Sequence, residues 1–244
     1  MSAFIQQVVI LTGGRGTRLG SRTKTTPKPL IPVAGKPYLE WQIELLREHG
    51  FRRFLLLTGY LAEQIERHFH VGAPWKVRID YSREPQPIGT AAALKLAAPK
   101  LAQRFLLMNG DTFFPCDYDA LDQAAAANPD SAWLVVVPRS VLGADAPRGN
   151  VRLDAAGHHV VEYVRGGQEG FEFVHSGMFV LGRQWLSLVE EGAGRAIESA
   201  LCPALIERSV LRAWVCHERF YDMGTPEQLD ELERFLLSDR RKTT

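Results

Sequence analysis

The sequence predicts an α/β protein built on a doubly wound, mainly parallel sheet, with a smaller antiparallel elaboration in the second half of the chain. In the first half, short aliphatic or β-branched runs alternate with longer amphipathic segments, which is typical of repeated strand–helix units. A Gly-rich turn follows the first apolar run directly, and shorter strand-like segments separated by Gly-containing turns begin after Pro138. These observations together indicate the fold class.

The first half supplies the elements of the parallel sheet. Gly50 falls where the first helix should end, since glycine is common just after helix C-termini. Because such sheets bind ligands at the carboxyl ends of their strands, the turns that follow these strands are the first candidates for a site. In chain order we predict strands at 7–11, 53–58, 77–81, 105–108 and 133–137, and helices at 38–49, 61–69, 90–98 and 118–127.

The second half predicts an inserted or appended antiparallel layer followed by helices. With 244 residues and no repeat or low-complexity linker, the chain is long enough to bury a substantial core as one domain, 1–244. Residues 239–244 are polar and are expected to form a frayed tail. The predicted strands are 150–153, 159–164 and 172–181, and the predicted helices are 183–190, 197–207 and 226–237.

Composition excludes several classes of protein. The 29 Lys and Arg residues against 28 Asp and Glu residues give a net charge of +1, which does not supply the basic surface that extended nucleic-acid binding requires. Three widely spaced cysteines suggest reduced, structural thiols. Neither a signal peptide nor a long apolar stretch occurs, so we expect no membrane partner and a cytoplasmic location.

The loop at 12–19, TGGRGTRL, is the first candidate for ligand binding. Glycine allows backbone amides to approach phosphate oxygens, and Arg18 would add charge-assisted hydrogen bonds. A Walker phosphate loop would end in Gly-Lys-Ser/Thr, and a dinucleotide fingerprint would have glycine at Leu19 and an acid near Lys36. Taken alone, the loop is equally compatible with a flexible turn with solvent-facing arginines.

Lys28 is enclosed by Pro27 and Pro29. The two rings restrict the backbone on both sides of the lysine, so its ammonium could be delivered to a phosphate with a smaller ordering cost. The alternative is an ordinary surface turn.

Two acids are candidate metal ligands. Asp111 follows a predicted central strand, where an α/β sheet presents ligands, and Mg²⁺ often combines one or two carboxylates with substrate phosphates. Asp222 precedes the last predicted helix, but Thr225 and Pro226 form a helix-start signature that gives this segment a structural explanation as well.

Taken together and in order, these motifs resemble the sugar-1-phosphate nucleotidyltransferase family, over most of the chain from Gln7 to the helix at Pro226. No single motif is as specific as the set. The matching segments are 13–19, 27–29, Glu84 with 87–90, 109–111 and 221–226.

The resemblance implies a Rossmann-like catalytic fold with Mg²⁺ as cofactor, and it suggests homo-oligomers. It divides the domain into a nucleotide-binding core at about 7–138, a sugar-binding and metal-completing part at about 139–225 and a C-terminal helix at 226–239. Arg18 would neutralise the leaving pyrophosphate, Lys28 would contact the α-phosphate, and Asp111 and Asp222 would bind the metal. The catalytic residues would thus be Arg18, Lys28 and Asp111, and the nucleotide-binding residues Leu11, Gly13, Gly14, Gly16, Thr17, Arg18, Gly89, Thr90 and Asp111.

The sugar side of the resemblance is less complete. Segments 148–151 and 175–179 resemble those that form the family's sugar pocket. Many members follow the stretch 161–163 with a Glu-Lys pair, whereas this chain has Arg165 and Gly166 there; either Arg165 replaces that lysine or the sugar is held differently. The implied sugar-binding residues are Asn109, Gly149, Glu162, Arg165 and Gly177.

Within the family, segments 84–90 and 107–114 are most similar to bacterial D-glycero-α-D-manno-heptose 1-phosphate guanylyltransferases. That similarity implies GTP and a heptose 1-phosphate as substrates, with GDP-heptose and pyrophosphate as products. The alternatives are a uridylyl-, cytidylyl- or thymidylyltransferase that uses another sugar 1-phosphate, or a non-catalytic nucleotide-sugar sensor that kept the fold.

Overall fold

The computed structural model describes residues 4–143, 146–190 and 194–240. Short 3₁₀ helices occur at Thr17–Thr23, Lys28–Leu30, Ala73–Trp75, Ala98–Lys100 and Arg183–Leu188. The strands are β1 Gln7–Leu11, β2 Pro32–Val33, β3 Lys36–Pro37, β4 Arg53–Thr58, β5 Arg78–Arg83, β6 Arg104–Asn109, β7 Thr112–Phe113, β8 Ala132–Pro138, β9 Val151–Leu153, β10 Val160–Tyr163, β11 Phe173–Gly182, β12 Leu211–Val215 and β13 Tyr221–Asp222. The α-helices are α1 Tyr38–Glu48, α2 Ala62–Phe69, α3 Thr90–Leu96, α4 Tyr118–Ala127, α5 Arg139–Leu142, α6 Ile197–Glu207 and α7 Pro226–Arg240.

Within the described residues, nine strands form one central sheet. Its parallel part has the order β6-β1-β4-β5. The chain leaves β1 towards β4 on one side and returns to β6 on the other, so the carboxyl end of β1 is a topological switch point. The ten-residue strand β11 pairs antiparallel with β6, β8 and β9, and β8 also pairs with β12.

Hydrophobic layers cover both faces of the sheet. Because successive side chains of a strand point to opposite faces, Val8 and Ile10 pack against α1, α2 and α4, whereas Val9 packs on the side that carries α3 and α6. A third cluster joins α7 to the segment around β2 and to β7, next to the switch point. The helices and this third cluster therefore support the strand ends from which the site is built.

The predicted fold class is confirmed, with one difference in topology. Helix α4 and strands β1 and β4 coincide with their predicted ranges, as does α6. The antiparallel strands do not form a separate layer, because β11 hydrogen-bonds directly to β6 and extends the same sheet. The predicted helix at 183–190 is a 3₁₀ helix, and strand β12 was not predicted. Helix α7 runs to Arg240, beyond the expected start of the frayed tail. Residues 241–244 lie outside the described part of the chain.

The remaining composition-based expectations concern thiols and membrane spans. All three cysteines are free and buried, as expected of structural thiols. No helix in the described ranges combines the length and hydrophobicity that a bilayer-crossing segment would need.

Candidate active site

A cleft of about 710 Å³ lies at the carboxyl ends of β1 and β6, at the switch point. It brings together residues that are far apart in the sequence. All nine predicted nucleotide-binding residues line it, as do Lys28, Asn109 and Arg165. The remaining residues of the lining are Thr12, Arg15, Pro29, Leu57, Glu84, Pro87, Ala93, Gly110 and Gly224.

The Gly-rich loop leaves β1 through Thr12, whose backbone and hydroxyl groups both donate to the Leu57 carbonyl at 2.9 Å. Gly16 has φ +62°, and a Cβ there would lie 3.1 Å from the Cβ of Lys28, so this position requires glycine. The loop is therefore a shaped turn packed over the lysine stem.

The Glu84 side chain explains why Gly13 and Gly59 carry no side chain of their own. A Cβ on Gly13 or Gly59 would lie 2.8 or 2.5 Å from Glu84 Oε1, while Glu84 Oε2 accepts a hydrogen bond from the Ile88 amide at 3.3 Å. The Glu84 side chain thus fills the space beside the loop, a supporting role that its place in the sequence motif did not reveal.

Lys28 and Asp111 form the centre of the cleft. The Lys28 side chain is only 10% exposed, and its Nζ lies 2.5 Å from Asp111 Oδ2. Pro27 precedes the single 3₁₀ turn Lys28–Leu30 and accepts a backbone hydrogen bond from Leu30 at 2.8 Å. The Pro-Lys-Pro segment is therefore a fixed, largely buried turn that aims an ammonium group at a carboxylate.

Asp222 reaches the same region from the end of the chain. The pairing of β13 with β7 places Asp222 opposite Thr112, whose hydroxyl donates to Asp222 Oδ1 at 2.7 Å. The Asp111 carbonyl accepts from Met223 N at 2.9 Å, which ties the two acid-bearing segments together. Burial and the neighbouring Asp111 carboxylate raise the pKa of Asp222 to about 6, against the opposing effects of the Thr112 hydrogen bond and of the charges on Lys28 and Arg18.

Arg18 supplies a second cation. A Cβ on Gly224 would lie 3.1 Å from Arg18 Nη2, so the absence of a side chain at Gly224 allows the guanidinium to extend towards the Asp222 segment. Arg18, Lys28, Asp111 and Asp222 thus form one group of two cations and two acids.

Gln42 was missed by the sequence analysis. It is fully buried on α1, and its Nε2 donates to the carbonyls of Asn109 (3.0 Å) and Thr112 (3.1 Å), on either side of Asp111. It fixes the turn that presents the acid. Its position on the inward face of an amphipathic helix gave no signal that separates it from an ordinary core residue.

Gly89 and Thr90 form the wall of the cleft next to α6. Gly89 has φ +85°, and a Cβ there would lie 2.8 Å from the Arg195 carbonyl. The Thr90 hydroxyl accepts a hydrogen bond from Ile197 N at 2.8 Å, and so satisfies an amide at the start of α6. Both residues have structural roles besides lining the cleft.

A smaller cavity of about 250 Å³ adjoins the first, and Asn109 lines both. Gly177 lies against Asn109, since a Cβ there would be 2.4 Å from Asn109 Nδ2. The lining of the smaller cavity also includes Thr112, Pro147, Arg148, Asn150, Gly166, Val174, His175, Ser176, Phe220 and Asp222.

The other predicted sugar-binding residues are placed differently. Arg165 lines the larger cleft. Gly149 packs against the Phe171 carbonyl, which would lie 2.0 Å from a Cβ at that position. Glu162 pairs with Arg152 at 3.4 Å, and neither Gly149 nor Glu162 is in the lining of either cavity. Four other residues of the predicted segments 148–151 and 175–179 line the smaller cavity but were not singled out: Arg148, Asn150, His175 and Ser176.

Sequence comparison places the chain in a known family of transferases. The chain belongs to the nucleotidyl transferase family, whose profile matches residues 7–239.

Individual relatives show which members of the family the chain is similar to. Over 118 residues (47% of this chain, 52% of the relative), the chain is 38% identical to the D-glycero-alpha-D-manno-heptose 1-phosphate guanylyltransferase of Campylobacter jejuni. Over 138 residues (54% and 60%), it is 38% identical to the N-acetylmuramate alpha-1-phosphate uridylyltransferase of Neisseria meningitidis. These matches therefore span only about half to three fifths of the curated relatives' length.

A solved structure covers more of the chain. The crystal structure of HddC from Yersinia pseudotuberculosis complexed with GMP-PN superposes with a TM-score of 0.80 and 28% sequence identity, covering 95% of this chain and 100% of that one. The family resemblance drawn from the motifs is thus confirmed, and heptose 1-phosphate guanylyltransferases are among the relatives.

Proposed function

We propose that this protein transfers a guanylyl group from GTP to a sugar 1-phosphate, D-glycero-α-D-manno-heptose 1-phosphate, and that it releases pyrophosphate and GDP-heptose. The observation that carries the proposal is the meeting of Lys28, Arg18 and Asp111 in one cleft at the switch point. Family membership, the Campylobacter jejuni relative and the HddC complex with GMP-PN support the reaction class and the guanine base.

The reaction needs no protein nucleophile. A phosphate oxygen of the sugar 1-phosphate attacks the α-phosphorus of GTP, the new P–O bond forms, and the bond to the β-phosphate oxygen breaks as pyrophosphate leaves. Because the attacking phosphate is already ionised, catalysis consists of alignment and charge stabilisation. Lys28 would leave Asp111 for the α-phosphate, and Arg18 would offset the charge of the leaving group.

The two acids fit a magnesium ion. Asp111 and Asp222 provide hard oxygen ligands, and a divalent cation would offset both the burial and the repulsion from Asp111 that raise the pKa of Asp222. Among the residues that the structure describes, no group of three or more His, Cys, Asp or Glu side chains could hold a metal, so substrate phosphates and water would complete the coordination. Bound Mg²⁺ would neutralise phosphate charge and orient the triphosphate.

The smaller cavity would hold the sugar. It adjoins the proposed phosphate site through Asn109 and opens beside Asp222, so a sugar bound there would have its 1-phosphate close to the metal ligands.

A second candidate is uridylyl transfer, which the Neisseria meningitidis relative favours because its similarity covers a longer part of this chain. Pyrophosphate release in the presence of Mg²⁺ separates the candidates when GTP, UTP, CTP, dTTP and ATP are each combined with heptose, mannose and glucose 1-phosphates. Turnover confined to GTP with heptose 1-phosphate is the expected result. Another productive pair would retain the reaction class, and inactivity with every pair would favour the non-catalytic sensor.

A further inference from the structure

The Tyr38 side chain is a buried polar group that the proposed chemistry does not use. Tyr38 is the first residue of α1 and is fully buried. None of the residues that the structure describes provides a hydrogen-bond partner for its hydroxyl. Because a buried hydroxyl without a hydrogen bond is costly, we looked for a state of the protein in which this donor is used.

Packing places the Tyr38 ring at the two-stranded ribbon of β7 and β13. Tyr38 belongs to the third hydrophobic cluster, together with Phe113 in β7 and Met223 immediately after β13. Asp111 immediately precedes β7, and Asp222 is the last residue of β13. The buried ring therefore packs in one cluster with residues that lie within two positions of each acid.

A neighbouring side chain on α1 shows that this face of the helix contacts the turn that carries Asp111. Residues four apart lie on the same face of an α-helix, so Tyr38 and Gln42 are neighbours. The Gln42 amide donates to two carbonyls that flank Asp111, at 3.0 and 3.1 Å. Burial, and after it the charges of Asp111 and Asp222, raise the pKa of Tyr38 well above its ordinary value. The hydroxyl is thus a protonated donor on which both carboxylates act.

Asp111 loses its donor at one stage of the proposed reaction. In the structure, Asp111 Oδ2 is paired with Lys28 Nζ at 2.5 Å. When Lys28 moves to the α-phosphate, this carboxylate is left without the ammonium group. Asp222, in contrast, keeps the hydrogen bond from the Thr112 hydroxyl at 2.7 Å. Of the two acids, Asp111 is therefore the one that needs a new donor.

We propose that Tyr38 is a positioning residue of the metal site, whose hydroxyl donates to the Asp111 carboxylate when Lys28 leaves it for the substrate. This inference rests on the proposed function, which supplies both the movement of Lys28 and the Mg²⁺ ion. One Asp111 oxygen would be held by the phenol while the other binds the ion. A hydrogen bond of this kind orients a metal ligand, and its loss typically weakens metal binding about 10- to 100-fold.

Metal binding tests the positioning role, because Tyr38→Phe removes the hydroxyl and keeps the ring. Titration with Mn²⁺, followed by electron paramagnetic resonance, should give a Kd about tenfold or more above that of the wild type. An unchanged Kd overturns the proposal. If the wild type binds no Mn²⁺, the metal site of the proposed function fails, and this inference fails with it.

The matched control is Tyr118→Phe, at a second fully buried tyrosine. The Tyr118 hydroxyl already donates to the Phe114 carbonyl at 2.8 Å, so this variant should lose stability and keep the wild-type Kd for Mn²⁺. An equal rise of the Kd in both variants would show a general effect of a lost buried hydroxyl and would also overturn the proposal.

A double-mutant cycle with Lys28 tests the exchange of donors. In the metal-free wild type, Asp111 is already paired with Lys28, so Tyr38→Phe should leave the unfolding temperature unchanged or raise it. In Lys28→Met, Tyr38 is the remaining donor for Asp111, and the same substitution should lower the unfolding temperature by about 2–4 °C. In the control background Lys24→Met, at an exposed position, it should behave as in the wild type.

Equal shifts of the unfolding temperature in the Lys28→Met and wild-type backgrounds overturn the proposal. Because the cycle needs neither metal nor turnover, it separates failure of this donor exchange from failure of the proposed nucleotidyl transfer.

Discussion

The proposed function gives Lys28 two partners in turn, first the Asp111 carboxylate and then a substrate phosphate. Its turn is fixed by two prolines, its stem lies under Gly16, and its ammonium neutralises Asp111 at 2.5 Å. A charge held this way needs little reorganisation when a phosphate displaces the carboxylate, and preorganised charge is the main source of electrostatic catalysis.

Replacing Lys28 with Gln should therefore lower kcat/KM for pyrophosphate release about 100-fold, the effect typical of losing one preorganised group that stabilises transition-state charge. Steady-state kinetics with GTP and the preferred sugar 1-phosphate would measure the loss. Lys24→Gln, at an exposed position four residues earlier, is the matched control and should retain wild-type kinetics. Wild-type kinetics in the Lys28 variant would remove this lysine from the site.

Asp222 gives a prediction for pH. Burial and the neighbouring Asp111 carboxylate raise the pKa of its carboxyl to about 6 in the folded protein, above the ordinary value of 3.8. The folded state therefore holds more protons between these values, and the contribution of Asp222 to stability falls as the pH rises from about 4 to 6 and stays low above. A cation that relieves this repulsion should bind better above pH 6 than below it.

We accordingly expect Mg²⁺ to raise the unfolding temperature more at pH 8 than at pH 5. At a concentration 100-fold above its Kd, the ion would add about 2.7 kcal/mol to the free energy of unfolding. Thermal scans at both pH values, with and without Mg²⁺, measure the difference, and Asp222→Asn should remove most of the increment at pH 8. An equal increment at both pH values in the two proteins would contradict this account of the metal site.

At the scale of elements, β11 joins the smaller cavity to the rest of the sheet, because residues 174–177 of this strand line that cavity. Its Gly177 has φ +79°, and a Cβ there would meet Asn109 Nδ2 at 2.4 Å, whereas Gly170, with φ +83°, has open space around it. The two glycines thus share a positive φ and differ in crowding. Comparing alanine substitutions at the two positions separates the cost of backbone strain from the cost of displacing Asn109.

We expect Gly170→Ala to lower the free energy of unfolding by about 1 kcal/mol through strain alone, and Gly177→Ala to lower it by about 1–3 kcal/mol more, because the methyl group forces Asn109 to move. Chemical denaturation measures both values. Gly177→Ala should also weaken sugar binding, while Gly170→Ala should not. Equal losses of stability in the two variants would show that Asn109 adapts without cost.

The elements also show which helices and strands could be predicted from sequence patterns alone. Strands β1 and β4 are continuous apolar runs, and α4 and α6 are long periodic segments, so their bounds were predictable. Strand β12 was missed because Leu211–Val215 alternates buried and partly exposed positions over only five residues and contains an arginine. Strands β7 and β13, with two residues each, have no periodicity, although they bring Asp222 opposite Thr112.

At the scale of the whole molecule, the continuous sheet couples the two halves of the chain. Since β11 pairs with both β6 and β8, the second half cannot unfold without exposing the edge of the parallel strands. Denaturant unfolding should therefore be a single transition, with coincident midpoints by tryptophan fluorescence and far-ultraviolet circular dichroism. An intermediate that retains only one half would contradict this coupling.

The site residues that lie in short sequence motifs could be predicted, whereas those placed by the packing of helices could not. Loop and strand-end residues such as Gly16, Lys28 and Asp111 have signals in short motifs, and the fold brings them together as expected. Gln42 acts through contacts that depend on how α1 packs against the strand ends, which no short segment encodes. The metal, the base, the sugar and the oligomeric state stay predictions.

Asn109 lines both cavities, so the two cavities meet at one amide side chain. A nucleoside and a sugar joined by a short bridge would then occupy both cavities as one molecule. The second half of such a compound would bind intramolecularly, at an effective concentration on the order of millimolar. If the two cavities hold nucleotide and sugar as proposed, the shared wall would make this protein a target for bisubstrate inhibitors whose linker is no longer than a pyrophosphate.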